Sequence, residues 1–266
     1  MVQSEERGFA VVTGGSNGIG LALAREFIAN GLDVLIAAEQ ASGLADAAQT
    51  LATGDARVDQ HAADLSTEAG VNSLHEAIQR IGRPVDILAV NAGIGLGGAF
   101  AETDLGTELK MIDLNIRGAV QLTKLVLPSM LQRDAGKILL TSSIAATMPD
   151  PFEAVYGGTK VFLRWFGEAL RNELKDTNVG VTVLMPGVTE TNFFNRADMM
   201  DTKAGTSNNK DDPQDVAKAA FAALRSDKDK VLPLFKNKVM GAIADALPDT
   251  TAAQIHRGLS EPGSAN

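Results

Sequence analysis

Tyr156 is the only tyrosine in this chain of 266 residues, and it stands four positions before Lys160 in the run Tyr156-Gly157-Gly158-Thr159-Lys160. That spacing is about one helical turn, so both side chains project from one face of a helix. A free phenol, with a pKa of about 10, is a poor acid or base near neutrality. A nearby ammonium favours the phenolate, which brings a tyrosine into range for proton transfer. The two glycines between them cost roughly 1 kcal/mol each in a helix relative to alanine. They predict a loosened first turn or one packed against something close.

A second constellation lies near the other end of the chain. The strand-like run Phe9-Ala10-Val11-Val12 is followed by Thr13-Gly14-Gly15-Ser16-Asn17-Gly18-Ile19-Gly20, which leads straight into helical sequence. Glycines allow a tight turn and let the backbone approach a ligand without a Cβ in the way. The helix start behind them offers unpaired N–H groups and the positive end of its dipole to a pyrophosphate. No Lys-Ser/Thr pair closes the loop, which argues for a dinucleotide over ATP or GTP. The second strand ends at Glu39, where a carboxylate would accept hydrogen bonds from ribose hydroxyls and repel a 2′-phosphate. No lysine or arginine lies in the Gly14–Gly20 loop or beside Glu39 in sequence. NAD is therefore expected ahead of NADP.

The elements that must carry these groups alternate along the chain. Strands are expected at 9–12, 34–38, 57–63, 85–91, 137–141 and 179–185, with an edge strand at 231–234, and helices at 18–30, 42–53 and 212–224. Continuous apolar runs suit strands covered on both faces. The fold class expected is α/β: a single-domain, Rossmann-type, doubly wound parallel sheet flanked by helices on both faces. Residues 189–212 turn polar and irregular. A structureless stretch of that length in a compact domain is usually functional. With Phe193, Phe194, Met199 and Met200 supplying apolar surface, it reads as a substrate lid. The tail from Glu261 to Asn266 reads as disordered.

Composition narrows the function classes. The formal charge of −9 argues against a nucleic-acid surface. Cysteine is absent, which excludes disulfides, thiolate metal sites and cysteine nucleophiles. His61, His75 and His256 have no metal-ligand spacing and read as surface or packing residues, so no metal is expected. No run approaches the ~20 apolar residues of a membrane span, and the short polar start reads as lacking a signal peptide. The default location is cytoplasmic.

With these pieces placed, the chain resembles the short-chain dehydrogenase/reductase family, in its compact single-domain form. Thr13 to Gly20 matches the family's Thr-Gly-x-x-x-Gly-x-Gly loop, and Asp64-Leu65 falls where the family meets the adenine. Asn91-Ala92-Gly93 matches its Asn-Ala-Gly run, which supports the sheet and lies along the cofactor. Asn115 matches a helix-kinking catalytic asparagine. Ser143, thirteen residues before Tyr156, matches the catalytic serine. Pro186-Gly187-Val188 and Thr191 match the segment at the nicotinamide end.

The resemblance implies the cofactor contacts Gly14, Ser16, Asn17, Gly18, Ile19, Gly20, Glu39, Asp64, Leu65, Asn91, Ala92, Gly93, Tyr156, Lys160, Pro186, Gly187, Val188 and Thr191. It implies a catalytic set of Asn115, Ser143, Tyr156 and Lys160, transferring hydride between NAD (NADP possible) and a secondary alcohol or ketone. Tyr156 would be the general acid/base, Lys160 would lower its pKa and bind the nicotinamide ribose, Ser143 would orient the substrate oxygen, and Asn115 would hold a relay water. A homodimer or homotetramer is expected, with Phe162, Trp165 and Phe166 packing against the core or a partner subunit. Asp150-Pro151-Phe152-Glu153 and 189–212 should shape a mostly apolar pocket. The alternatives are a non-catalytic dinucleotide redox sensor, which needs no proton donor, and a sugar-nucleotide epimerase, which usually has a larger C-terminal domain.

Overall fold

A computed structural model describes residues 7–234 and 247–265; the first six residues and Asn266, on which two expectations about the chain ends partly bear, lie outside them. The expected alternation is present as β1 (Gly8–Thr13), α1 (Gly18–Ala29), β2 (Leu32–Ala38), α2 (Ala41–Leu51), β3 (Val58–Ala62), α3 (Glu68–Ile81) and β4 (Ile87–Val90). Then come α4 (Leu105–Ile112), a π-helical turn (Asp113–Gly118), α5 (Ala119–Arg133), β5 (Gly136–Thr141), a 3-10 turn (Ile144–Thr147), α6 (Ala154–Glu173) and β6 (Val179–Leu184). The chain continues through the short helices α7 (Phe193–Arg196) and α8 (Lys203–Thr206), then α9 (Pro213–Arg225), β7 (Lys230–Val231) and α10 (Asp249–Ser260).

The strands form one parallel sheet of seven in the order β3-β2-β1-β4-β5-β6-β7. Side chains alternate across it. Phe9, Val11, Leu35 and Leu88 face a core closed by Leu74 of α3, Leu122 and Val126 of α5 and Leu163 of α6. Ala10, Val12, Val34 and Ile36 face the other core, closed by Leu23 and Phe27 of α1, Leu44 of α2 and Val216 and Phe221 of α9. Phe27 and Phe221 meet with ring centroids 5.9 Å apart. Each such side chain contributes roughly 1.5–3 kcal/mol on burial. Covering both faces removes the polar alternation a one-sided sheet would need.

The order reverses between β1 and β4, which opens a crevice at their carboxyl ends, the usual ligand position in such sheets. β7 is two residues long, shorter than the four expected.

Candidate active site

The glycine loop leaves β1 at this crevice. Gly14 and Gly18 take left-handed φ values of 67° and 55°, which other residues adopt rarely. A Cβ on Gly20 would strike the Gly14 carbonyl, so only glycine lets α1 start so near the strand. Asn17 caps α1 without a side-chain bond, and no acidic residue occupies the first turn. The free N–H groups of α1 therefore point at the crevice as an anion cradle. Thr13 Oγ1 ties loop to sheet by accepting from Asn91 N at 2.9 Å and Ala92 N at 3.0 Å. Asn91 answers by donating from Nδ2 to Thr13 O at 3.1 Å and accepting from Thr141 Oγ1 at 3.2 Å.

One cavity of about 430 Å³ runs from this loop to Tyr156, and every expected cofactor contact from Gly14 to Thr191 lines it, as do Ser143, Tyr156 and Lys160. Asn115 does not line it. It sits fully buried behind the wall, in the π-helical turn that breaks the regular ladder between α4 and α5. Its Oδ1 accepts from Ile94 N at 3.0 Å, and Nδ2 donates to Ile94 O at 2.9 Å and to Thr159 Oγ1 at 3.0 Å. Both amide hydrogens are thus committed. A Cβ on Gly93 would come within 3.1 Å of Asn115 Oδ1 and 3.2 Å of Lys160 Nζ, so the glycine leaves these two side chains room beside the chain.

Tyr156 and Lys160 do share a face of α6, and both are buried. Lys160 Nζ donates to Thr141 O at 3.1 Å and lies 5.5 Å from the centre of the Tyr156 ring. Burial lowers this amine to about 8. The phenol shows the opposite of the expected shift. Burial first, and then the Glu153 carboxylate with a smaller push from Asp150, hold it well above the ordinary tyrosine value, while its hydrogen bond with Ser143 pulls the other way. Gly157 is where the helix packs close, since a Cβ there would lie 2.5 Å from Asp150 Cβ; Gly158 faces open space.

Three residues distant in sequence enter the site. Lys110 of α4 sets its Nζ 3.1 Å from Glu39 Oε1 and is raised by that partner, so the expectation of no base beside Glu39 is corrected. No base stands next to Glu39 in sequence, but the fold brings Lys110 to it from 71 residues away. Arg196 of α7 donates to Asn17 Oδ1 at 3.2 Å, bringing a cation to the glycine loop. His256 of α10 is no ordinary surface residue: its Nδ1 lies 2.7 Å from Asp150 Oδ1. Asp150 and Glu153 are both buried, so the cavity expected to be mostly apolar has an acidic corner beside Tyr156.

The 189–212 segment is not structureless. A bridge of Thr189 with Asp211 closes its neck, α7 and α8 lie within it, and Thr202 caps α8 by accepting from Gly205 N at 3.0 Å. Phe193 stands 5.2 Å from the Tyr156 ring, and Met199 is buried while Met200 is half exposed. The tail is held rather than loose over the residues described: Gly263 N donates to Asp201 Oδ2 at 2.8 Å, and Ser264 Oγ accepts from Lys203 N at 3.2 Å. Trp165 does not pack against the core and is 59% exposed, while Phe162 and Phe166 stack at 5.8 Å.

The sequence matches the short chain dehydrogenase family model over residues 8–201. It is 29% identical over 255 residues to a ketoacyl reductase, HetN, of Nostoc sp., covering 93% of this chain and 87% of that protein. A short-chain dehydrogenase from Sphingobium yanoikuyae in complex with NADPH superposes with a TM-score of 0.81 at 24% identity, over 90% of this chain and 93% of that one. A 3-ketoacyl-(acyl-carrier-protein) reductase from Brucella melitensis complexed with NADH gives 0.74 at 27% identity, over 85% and 95%. The chain belongs to the short-chain dehydrogenase/reductase family, oxidoreductases that bind a nicotinamide dinucleotide. Among the described residues no helix is long and apolar enough to cross a membrane.

Proposed function

We propose that this protein reduces a ketone to a secondary alcohol with a nicotinamide dinucleotide, Tyr156 giving the proton. One observation carries the reading: Ser143, Tyr156 and Lys160 line the same cavity as the glycine cradle. The cradle fits the group, because no side chain caps the start of α1, no acidic residue stands in its first turn, and glycines at 14, 18 and 20 keep the loop open. When bound, the dinucleotide supplies the hydride. Every other task falls to the chain.

Ser143 donates to the substrate oxygen as charge develops there, a stabilisation of the oxyanion-hole kind. Tyr156 O–H gives that oxygen its proton. A phenol held above its usual pKa is a weaker acid than a free tyrosine, so its proton moves only as negative charge develops on the substrate oxygen or a cation comes beside it. Lys160 serves the ribose end. Asn115 acts as a positioning residue, joining Ile94 of the wall to Thr159 of α6. Glu39 meets the adenosine ribose, and Lys110 beside it offers a counter-charge to a 2′-phosphate, so NAD and NADP both bind.

Residues 189–212 act as the lid, with Arg196 latching it to the glycine loop and Phe193 excluding water at the phenol. Leu105 and Leu109 of α4 with Phe162 and Trp165 of α6 supply exposed apolar surface for a homo-oligomer. The cytoplasm is the expected compartment. In Tyr156→Phe, ketone reduction falls at least about a hundredfold while cofactor titration is nearly unchanged; wild-type turnover in that variant would sink the mechanism.

A further inference from the structure

Beyond the reacting oxygen, the cavity contains a set of groups that hydride transfer does not use. Glu153 is the N-cap of α6 and lines the cavity three residues before Tyr156, yet it is only 7% exposed. Its Oε2 accepts from Ser260 Oγ at 3.0 Å, while Oε1 has no donor among the described residues. Behind it the Asp150 side chain is 2% exposed, with His256 Nδ1 2.7 Å from its Oδ1. His256 and Ser260, one turn apart on α10, close the corner.

Among the described residues, one of the two acids lacks a cation. Asp150 and His256 form a pair at 2.7 Å and compensate each other. Burial pulls the imidazole down, but Asp150 more than offsets it and leaves His256 raised. Glu153 is the remaining acid, with only a neutral hydroxyl to answer it. Burial, then the Asp150 carboxylate, push Glu153 up to about 8. Held mostly protonated at neutral pH for want of a cation, Glu153 ionises as an ammonium arrives beside it. Asp150, Glu153 and His256 also bring ligand-type atoms within 4.8 Å of one another. A metal there would have to break the Asp150–His256 pair, which an ammonium against Glu153 leaves intact.

We propose that Glu153, backed by Asp150 and His256, is a subsite for an ammonium group, so that the substrate is an amino ketone or amino alcohol. The inference rests on the reading of the cavity as a carbonyl-reducing site. It also links recognition to chemistry. Glu153 is the largest charged contributor holding the phenol up, so an ammonium seated on it cancels part of the field that opposes proton release.

The test compares 1-amino-2-propanol with 2-butanol, in which a methyl replaces the ammonium. Calorimetric binding to the wild-type protein with saturating NAD or NADP, and kcat/KM for oxidation, are both measured at pH 7. The amine should bind at least about tenfold more tightly, or 1.4 kcal/mol, and Glu153→Gln should bring the two ligands within about twofold. Equal binding in the wild type overturns the subsite without any variant, as does a preference that survives in Glu153→Gln. Oxidation of both alcohols at equal kcat/KM removes the subsite and leaves the oxidoreductase reading standing. Selective amine binding with no oxidation of either alcohol removes that reading and keeps the subsite.

Discussion

The Lys110 ammonium lies 3.1 Å from the Glu39 carboxylate at the rim where an adenosine ribose would sit, although the two are 71 residues apart. Both side chains are exposed, so the pair adds little to stability. Its consequence is for selectivity. Glu39 alone would repel a 2′-phosphate, and the proposed role of Lys110 is to offset that repulsion. Lys110→Ala should weaken NADPH by about tenfold and change NADH by less than about threefold in parallel titrations. An equal loss for both would mean that Lys110 does not discriminate between the cofactors.

Gly157 and Gly158 predict opposite signs for the same substitution. Gly158→Ala meets open space and gains helix propensity, so urea unfolding should show a stabilisation of up to about 1 kcal/mol. Gly157→Ala drives a methyl into Asp150, which is fixed by His256, and should destabilise by roughly 1–3 kcal/mol. Stabilisation by Gly157→Ala would show that Asp150 yields freely.

Lys160 makes stability depend on pH in the alkaline range. Its folded value of about 8 lies below the ordinary lysine value, so the folded chain holds its proton less tightly than the unfolded one. Below pH 8 this disfavours the fold, and the penalty fades as pH rises towards about 10.4. Without cofactor, Lys160→Met should be more stable than wild type at pH 7, by something on the order of 1–3 kcal/mol, and the gap should close by pH 10. A gap independent of pH would assign it to packing instead.

At the acid end the relevant group is Asp227. Its Oδ2 accepts from Arg171 and its Oδ1 from Lys137, each at 2.6 Å, and these bonds lower it to about 2. A depressed carboxylate stabilises the fold above its unfolded value and loses that contribution as pH falls to the folded one. The side chain is half exposed, so solvent screening limits the effect. Asp227→Asn should cost about 0.5–1 kcal/mol at pH 7, with the difference vanishing between about pH 4 and pH 2 in a denaturant series.

Much of this was legible in the chain because it is local. The β1 loop, the α6 pair and the run of buried strands are each written in consecutive residues, and the parallel sheet follows from their alternation. The parts that were not legible are contacts between distant elements. Lys110 against Glu39 and His256 against Asp150 depend on how α4 and α10 cross the sheet, and no spacing encodes either. The phenol's direction of shift failed for the same reason. Sequence put Lys160 beside it, but burial and the carboxylates of Glu153 and Asp150 dominate. The 189–212 segment looked irregular because its helices are only four residues long and their periodicity is too short to read.

The π-helical turn at 113–118 bears on how the chain can change length. A π turn holds one residue more than a regular helix needs. Deleting any one residue between Asp113 and Gly118 would let α4 and α5 run on as one regular helix, at no loss of hydrogen bonding. Because the turn has already absorbed the extra residue, α5 would keep its phase, and Leu122, Val126 and Met130 would stay in the core they fill. The same deletion would withdraw the Asn115 amide from Ile94 and Thr159. A shortening here would thus spare the packing of α5 and fall on the cavity wall alone, so the extra residue serves the site and not the fold.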